Sequence, residues 1–299
     1  MCPISAWSKT LDTVLIIGYG DIGRRVAALC QQRGWRVNAL TRQVVTAKQL
    51  SAQGLIGFTG DLDHPDTFPV LPTADSLIFY FAPPPLHGVG DPRLSTFLSA
   101  ISPKTAPRKI IYISTSGVYG DHQGAWVTEK SAVNPGTDRA RRRWAAENLL
   151  HDWEQRIGAP VVILRVGGIY GPGRLPVERL RHGTPVLREQ DCGYTNRIHA
   201  DDLATVCVAA AERGRDVYNV SDGHPSTMTD YFIRVADLYG LQQPTQINLI
   251  QAQSLLSKEM LSYLAESRRL DNHRMVNELG VKLRYPTLQE GLAASRAEA

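Results

Sequence analysis

The stretch Thr13 to Arg25, TVLIIGYGDIGRR, limits what this chain can fold into more than any other. Val14, Leu15, Ile16 and Ile17 form an apolar run, mostly β-branched, that stops abruptly at a glycine, which predicts a buried strand rather than a helix. Gly18, Gly20 and Gly23 then follow at the G-x-G-x-x-G spacing. The first permits a tight turn, the second lets the backbone approach a pyrophosphate, and the third lets a helix pack closely on its strand. Backbone N–H groups at the start of that helix, from Gly20 through Asp21, Ile22 and Gly23, would face the phosphates. Ile22, Val26, Ala27, Leu29 and Cys30 carry helical spacing up to Gly34, and Trp35 to Leu40 reads as a second strand. The whole is one β-α-β unit of the length that dinucleotide binding requires.

The alternation continues. Ala47 to Ala52 is a short helix, and strands are expected at Leu55–Phe58, Ser76–Phe81, Lys109–Ile113, Val161–Leu164 and Val217–Val220. Strands separated by helical segments predict an α/β chain with a doubly wound parallel sheet, covered on both faces, that binds ligands at the carboxyl ends of its strands. From Gly171 to Gly173 (GPG) the composition shifts and the alternation weakens. The expected division is residues 1–170 for the dinucleotide and 171–299 mainly for a smaller C-terminal substrate lobe, with about 199–221 returning to the sheet. In the second part, Ser226, Thr227 or Thr229 caps a helix through Tyr231 to Tyr239, and Gln251 to Arg268 reads as one long helix.

With 43% hydrophobic residues the chain can bury a large core, and its formal charge of +4 is too weak to argue for nucleic acid. Small anions suit it better. Cys2, Cys30, Cys192 and Cys207 are scattered without metal-ligand spacing and read as reduced thiols, so no metal site is expected. The first residues lack a charged segment followed by an apolar run, and no run approaches a membrane span, so a cytoplasmic protein is expected.

Cofactor choice is decided at the end of the second strand, where an acid would hold the adenosine ribose of NAD and repel the 2′-phosphate of NADP. Here stand Asn38, Ala39, Leu40, Thr41 and Arg42. Thr41 and Arg42 form a natural phosphate clamp, which favours NADP, with NAD as the alternative. Arg24 or Arg25 could assist. Asp61 after the third strand is placed for the adenine, and Ala82 and Pro83 for the middle of the cofactor.

The glycine motif, STSGVYGD (Ser114–Asp121), LRVGGIYGPGR (Leu164–Arg174), NRIHADDLA (Asn196–Ala204) and LDNHRMVNELGVKLRYPTLQEGL near the C-terminus occur in one order across nearly the whole chain. Together they resemble the extended short-chain dehydrogenase/reductases, the NAD(P)-dependent epimerase/dehydratase group. The resemblance implies a Rossmann-type domain, a C-terminal substrate lobe, a small-molecule substrate and, commonly, a homodimer. It also implies Tyr-x-x-x-Lys on the helix after the fifth strand, with an acid four residues past the lysine. Counting back from Glu147, those two places hold Arg139 and Arg143.

In the implied mechanism the lysine holds the nicotinamide ribose while the tyrosine passes a proton. Arg143 can take the lysine's structural place. Arg139 stays protonated and cannot act as the tyrosine does. Arg139, Arg141, Arg142 and Arg143 admit two readings, a solvated charged face or a pair at i and i+4 brought together in the site. Two further implied positions depart as well: Gly168 stands where an asparagine would contact substrate, and Thr195 where an arginine would bind a nucleotide-sugar phosphate. Thr115 falls at the family's Ser/Thr position and can hydrogen-bond a substrate oxygen. Tyr119, His122, Tyr170 and Tyr194 are the candidates for the missing proton donor. His199, Asp201 and Asp202 read as a turn and N-cap for a helix from Leu203 to Glu212. Two functions stay open: an epimerase-like oxidoreductase acting on a small, anionic molecule, and a non-catalytic NADP(H) redox sensor.

Overall fold

A computed structural model describes residues 12–297 of the chain. Among these residues, seven parallel strands form one sheet: β1 (Thr13–Ile17), β2 (Arg36–Thr41), β3 (Ile56–Thr59), β4 (Leu77–Tyr80), β5 (Lys109–Thr115), β6 (Val161–Val166) and β7 (Asp216–Val220). Their spatial order is β7-β6-β5-β4-β1-β2-β3. The order reverses between β1 and β4, and a crevice opens at such a switch point.

Alternation along β1 shows why the sheet is buried on both sides. Val14 and Ile16 enter one core with Val26, Ala27 and Cys30 of helix α1 (Asp21–Gln32), whereas Leu15 and Ile17 enter another on the opposite face. All four are fully buried, worth about 1.5–3 kcal/mol each against the cost of ordering the chain. Helices α2 (Val44–Ala52), α3 (Pro92–Ser99) and α4 (Asp138–Ile157) follow in chain order, and α5 (Ala200–Arg213) lies against α1. Trp153 of α4 and Phe97 of α3 pack in the second core, facing Tyr80 and Tyr112 of the sheet. β7 pairs with β6 over Asp216 to Val220, so the chain returns to the sheet after its excursion.

A third apolar cluster lies outside the sheet and joins Tyr170 and Leu180 to α6 (Met228–Tyr239) and α7 (Leu288–Ala297). Thr227 caps α6, its hydroxyl accepting from the Asp230 N–H at 3.0 Å. Three expected elements differ, the first being α2, which begins at Val44, three residues before Ala47. The single helix over Gln251–Arg268 is instead two short ones, Leu249–Leu255 and Lys258–Leu264, because Ser257 turns extended and caps the second through the Met260 N–H at 3.2 Å. Helix α5 starts three residues before Leu203, with His199 as its N-cap and its ring nitrogen accepting from the Asp201 N–H. Cys2 lies outside the described residues; Cys30, Cys192 and Cys207 are free thiols. No helix among the described residues is long and apolar enough to cross a membrane, and none of their His, Cys, Asp and Glu side chains group as a metal site.

Candidate active site

The turn between β1 and α1 is built by its glycines. Gly18 has φ +96°, and a Cβ there would lie 2.6 Å from the Ala82 nitrogen, so no larger residue lets the ends of β1 and β4 come together. The Phe81 and Ala82 N–H groups both donate to the Ile17 carbonyl, at 2.7 and 3.0 Å. A Cβ on Gly23 would meet the Gly18 carbonyl oxygen at 2.7 Å. Gly20 differs: a Cβ there would meet nothing within 4 Å. Gly20 is also the N-cap of α1 and offers no side-chain acceptor, so the first N–H groups of that helix are left for an anion.

These residues line a cleft of about 660 Å³, with Thr41, Arg42, Asp61, Ala82 and Pro83 on its walls. Arg42 is exposed at the mouth, while the Thr41 hydroxyl donates to the Gln43 carbonyl at 3.0 Å. Arg25 does not reach this cleft: it pairs with Asp21 and with Asp201 of α5. The Asp21 carboxyl also accepts from Arg174, at 2.6 Å. Burial raises its pKa, but the bonds from Arg174 and Arg25 prevail and hold it below the ordinary aspartate value. Arg93, which the sequence did not single out, lines the same cleft, held by Asp63 at 2.6 and 2.8 Å.

A second cavity of about 430 Å³ adjoins the first, and Pro83, Ile113, Arg143, Ile169 and Arg174 belong to both walls. Thr115 lines it at the end of β5, its hydroxyl accepting from the Gly117 N–H at 3.2 Å and keeping its own proton to donate. Thr137 caps α4 and brings Arg139, Arg142 and Arg143 to this cavity, whereas Arg141 turns outward to Asp138. The helix therefore has both a solvated face and a face in the site. Arg143 is fixed, donating to the Tyr112 hydroxyl and the Ile113 carbonyl, each at 2.9 Å. Burial pushes the Tyr112 phenol up to about 12, so it stays neutral.

Tyr119 is not brought to either cavity. It is fully buried, its hydroxyl donates to Asn219 at 2.8 Å, and Arg165 lies over its ring. Tyr170 is also buried, its ring edge against His199, and His122 contacts the Ala132 carbonyl. Tyr194 does line the second cavity, stacked by Arg269. So does Tyr263, which sequence reasoning missed because it fell inside an expected long helix. The Arg139 guanidinium stands 6.0 Å from the Tyr263 ring, and a Cβ on Gly168 would lie 3.9 Å from the Tyr263 hydroxyl. Thr195 lines the cavity with its hydroxyl given to the Ser226 carbonyl, and Arg197 is buried against Tyr231, donating to Ser226 and Thr227.

The sheet order, the uncapped α1 terminus at the switch point and the glycine turn define a dinucleotide-binding α/β fold of the Rossmann type. Residues 94–221 match the model of the NAD dependent epimerase/dehydratase family. The chain belongs to that family. It is 29% identical to Protein YeeZ of Escherichia coli (strain K12), over 92% of this chain and 97% of that protein. A functionally unknown conserved protein from Silicibacter pomeroyi has 31% identity and a TM-score of 0.80, covering 96% of this chain and 99% of its own. The fold is also that of the UDP-glucose 4-epimerase of Thermus thermophilus, solved in complex with NAD, at 21% identity and a TM-score of 0.75 over 95% and 97% of the two chains.

Proposed function

We propose that this chain is an NAD(P)-dependent oxidoreductase of the epimerase/dehydratase type that acts on a small anionic molecule. The observation that carries the reading is one continuous cleft, running from the uncapped terminus of α1 to an arginine-lined cavity that ends at Thr115. The free space at Gly20 and the uncapped N–H groups of Asp21, Ile22 and Gly23 suit a pyrophosphate. Asp61, Ala82 and Pro83 would flank the adenosine and the middle of the cofactor. Arg42, exposed at the mouth with no acid at the end of β2, favours NADP; solved relatives of this fold carry NAD, which keeps NAD as the alternative.

A bound nicotinamide would supply hydride exchange. Around it, Arg143 is placed to hold the ribose in the lysine's stead, and Thr115 donates to the substrate oxygen. The proton falls to Tyr263, which lines the cavity beside Arg139, its ring 6.0 Å from that guanidinium. Residues 171–299 build mainly the substrate side, except for the α5–β7 return.

Calorimetry with NADH and NADPH tests the cofactor site. Gly20→Val fits the fold, since nothing lies near its Cβ, yet fills the space meant for the pyrophosphate. It should abolish dinucleotide binding while leaving the melting temperature within a few degrees of wild type. Unaltered binding in this variant would overturn the reading. The arginine at position 139 favours a second reading, a redox sensor without turnover. Dinucleotide binding with no absorbance change at 340 nm across a broad panel of carbonyl and hydroxy-acid substrates would decide for it.

A further inference from the structure

The second cavity is lined by a largely buried ion pair that the proposed mechanism does not use. Residues 265–268 leave the short helix Lys258–Leu264 and run toward the two-residue strand Arg269–Leu270, laying Glu266 and Arg268 along the cavity. Arg268 is 8% exposed. One of its terminal nitrogens donates to the Gly120 carbonyl at 2.7 Å and to Glu266 at 2.9 Å, but its Nε has no partner. Glu266 answers in kind: Oε2 takes the bond from Arg268, and the buried Oε1 has no partner. Gly136 keeps that oxygen clear, because a Cβ there would lie 3.1 Å from it. An unmet charged donor and an unmet charged acceptor, on two paired side chains that both line the cavity, are costly to leave without partners.

The surroundings set the sign of that ligand. Arg139, Arg142, Arg143, Arg174 and Arg268 line the cavity against the single carboxylate of Glu266. Arg143 and Arg174 are committed to fixed partners, and Arg142 gives one nitrogen to the Gly88 carbonyl at 3.2 Å. Arg139 has no carboxylate partner among the described residues and lies over the Tyr263 ring, 6.0 Å from its centre.

We propose that this wall anchors a small hydroxylated anion, free of any nucleotide: its carboxylate or phosphate accepts from Arg268 and Arg139, and an adjacent hydroxyl donates to Glu266. The ligand must carry both functions on neighbouring atoms, as a hydroxy acid, a sugar acid or a polyol phosphate does. A simple carboxylate satisfies only the arginines, and a simple polyol only the glutamate. The inference rests on the proposed oxidoreductase reading and names the substrate class for its cavity.

Calorimetry on the full chain, with and without saturating NADPH, tests it with glycerate, glycerol 3-phosphate, propionate, glycerol and UDP-glucose. Glycerate or glycerol 3-phosphate should bind about tenfold more tightly than propionate, the effect of one added hydrogen bond to a charged group, and glycerol should not bind. Which of the two leads tells carboxylate from phosphate. Glu266→Gln should reduce the preferred anion to the affinity of propionate without changing propionate itself, and Arg139→Gln should weaken every anion. Glu266→Gln removes no bulk; circular dichroism confirms that it is folded. Equal affinity for glycerate and propionate, an unaltered preference in Glu266→Gln, or tighter binding of UDP-glucose than of either small anion overturns the proposal. A chain that keeps the preference but binds no dinucleotide overturns the cofactor reading instead.

Discussion

Replacing Glu147 with glutamine should destabilise the chain far more than its conservative shape suggests. Glu147 sits on α4 with 3% of its side chain exposed, paired with Arg165 of β6 at 5%. Arg165 donates to Glu147 Oε2 through Nε at 3.1 Å and a terminal nitrogen at 2.7 Å, and the Ser114 hydroxyl donates to Oε1 at 2.5 Å. The other terminal nitrogen of Arg165 already lacks a partner, so Glu147 alone compensates that charge, with the ring faces of Tyr119 and Trp144 assisting at 4.9 and 5.8 Å. Removing one member of such a pair leaves a bare buried charge and costs about 3–5 kcal/mol. In a chain of this size that lowers the melting temperature by about 5–8 °C. The double replacement Glu147→Met with Arg165→Met removes both charges and should lie within about 2 kcal/mol of wild type. Urea and thermal unfolding, followed by circular dichroism, give all four corners of the cycle. A cost below about 1 kcal/mol for Glu147→Gln, or a double variant as unstable as the sum of its singles, refutes the reasoning. The consequence reaches the site, because the same helix carries Arg139 and Arg143 into the cavity.

Arg42→Asp should weaken NADPH about 10- to 100-fold while NADH changes little, read by fluorescence titration; equal loss of both removes Arg42 from the 2′-phosphate site. Tyr263→Phe should lower turnover by about 10²- to 10⁴-fold with dinucleotide affinity intact, whereas Tyr119→Phe should keep turnover and lose stability, because its hydroxyl serves Asn219. His199, pushed down to about 4 by burial, should show no imidazole titration by proton NMR until near that pH. The unfolded chain takes up this proton near pH 6.5 and the folded one does not, so His199 removes stability as pH falls from about 6.5 to 4 and adds no further loss below. A midpoint near 6.5 in the folded protein would refute its burial as a neutral cap.

The sheet was legible because its strands are short apolar runs with both faces buried, and such runs survive any change in what surrounds them. Boundaries moved by a residue or two: Leu55 to Phe58 was expected and Ile56 to Thr59 observed. The failure at Gln251–Arg268 has a local cause. Hydrophobic spacing passes through Ser257 uninterrupted, but a serine that binds the Met260 N–H ends one helix and starts another. With that helix broken, residues 265–268 become a strap across the cavity, and Glu266 and Arg268 acquire positions that no helical wheel could give them.

On the site side, single positions were readable and their neighbours were not. Thr115 and the glycines lie at strand ends, where topology alone puts them. Tyr119 also lies beyond a strand end, but its side chain turns inward to Asn219, a contact 100 residues away along the chain. Of the departures from the family pattern, Arg139, Gly168 and Thr195 all line the second cavity. Around the cavity they belong to one rearrangement. Gly168 has no side chain to fill the space where the Tyr263 hydroxyl comes to lie, Arg139 stands over that ring, and Thr195 has its hydroxyl spent on Ser226. On the proposed function, Tyr263 answers the phenol missing from α4, and Arg139 in its place suits an anionic substrate. The separate kinetic effects of Tyr263→Phe and Tyr119→Phe test whether the chemistry has moved with the phenol.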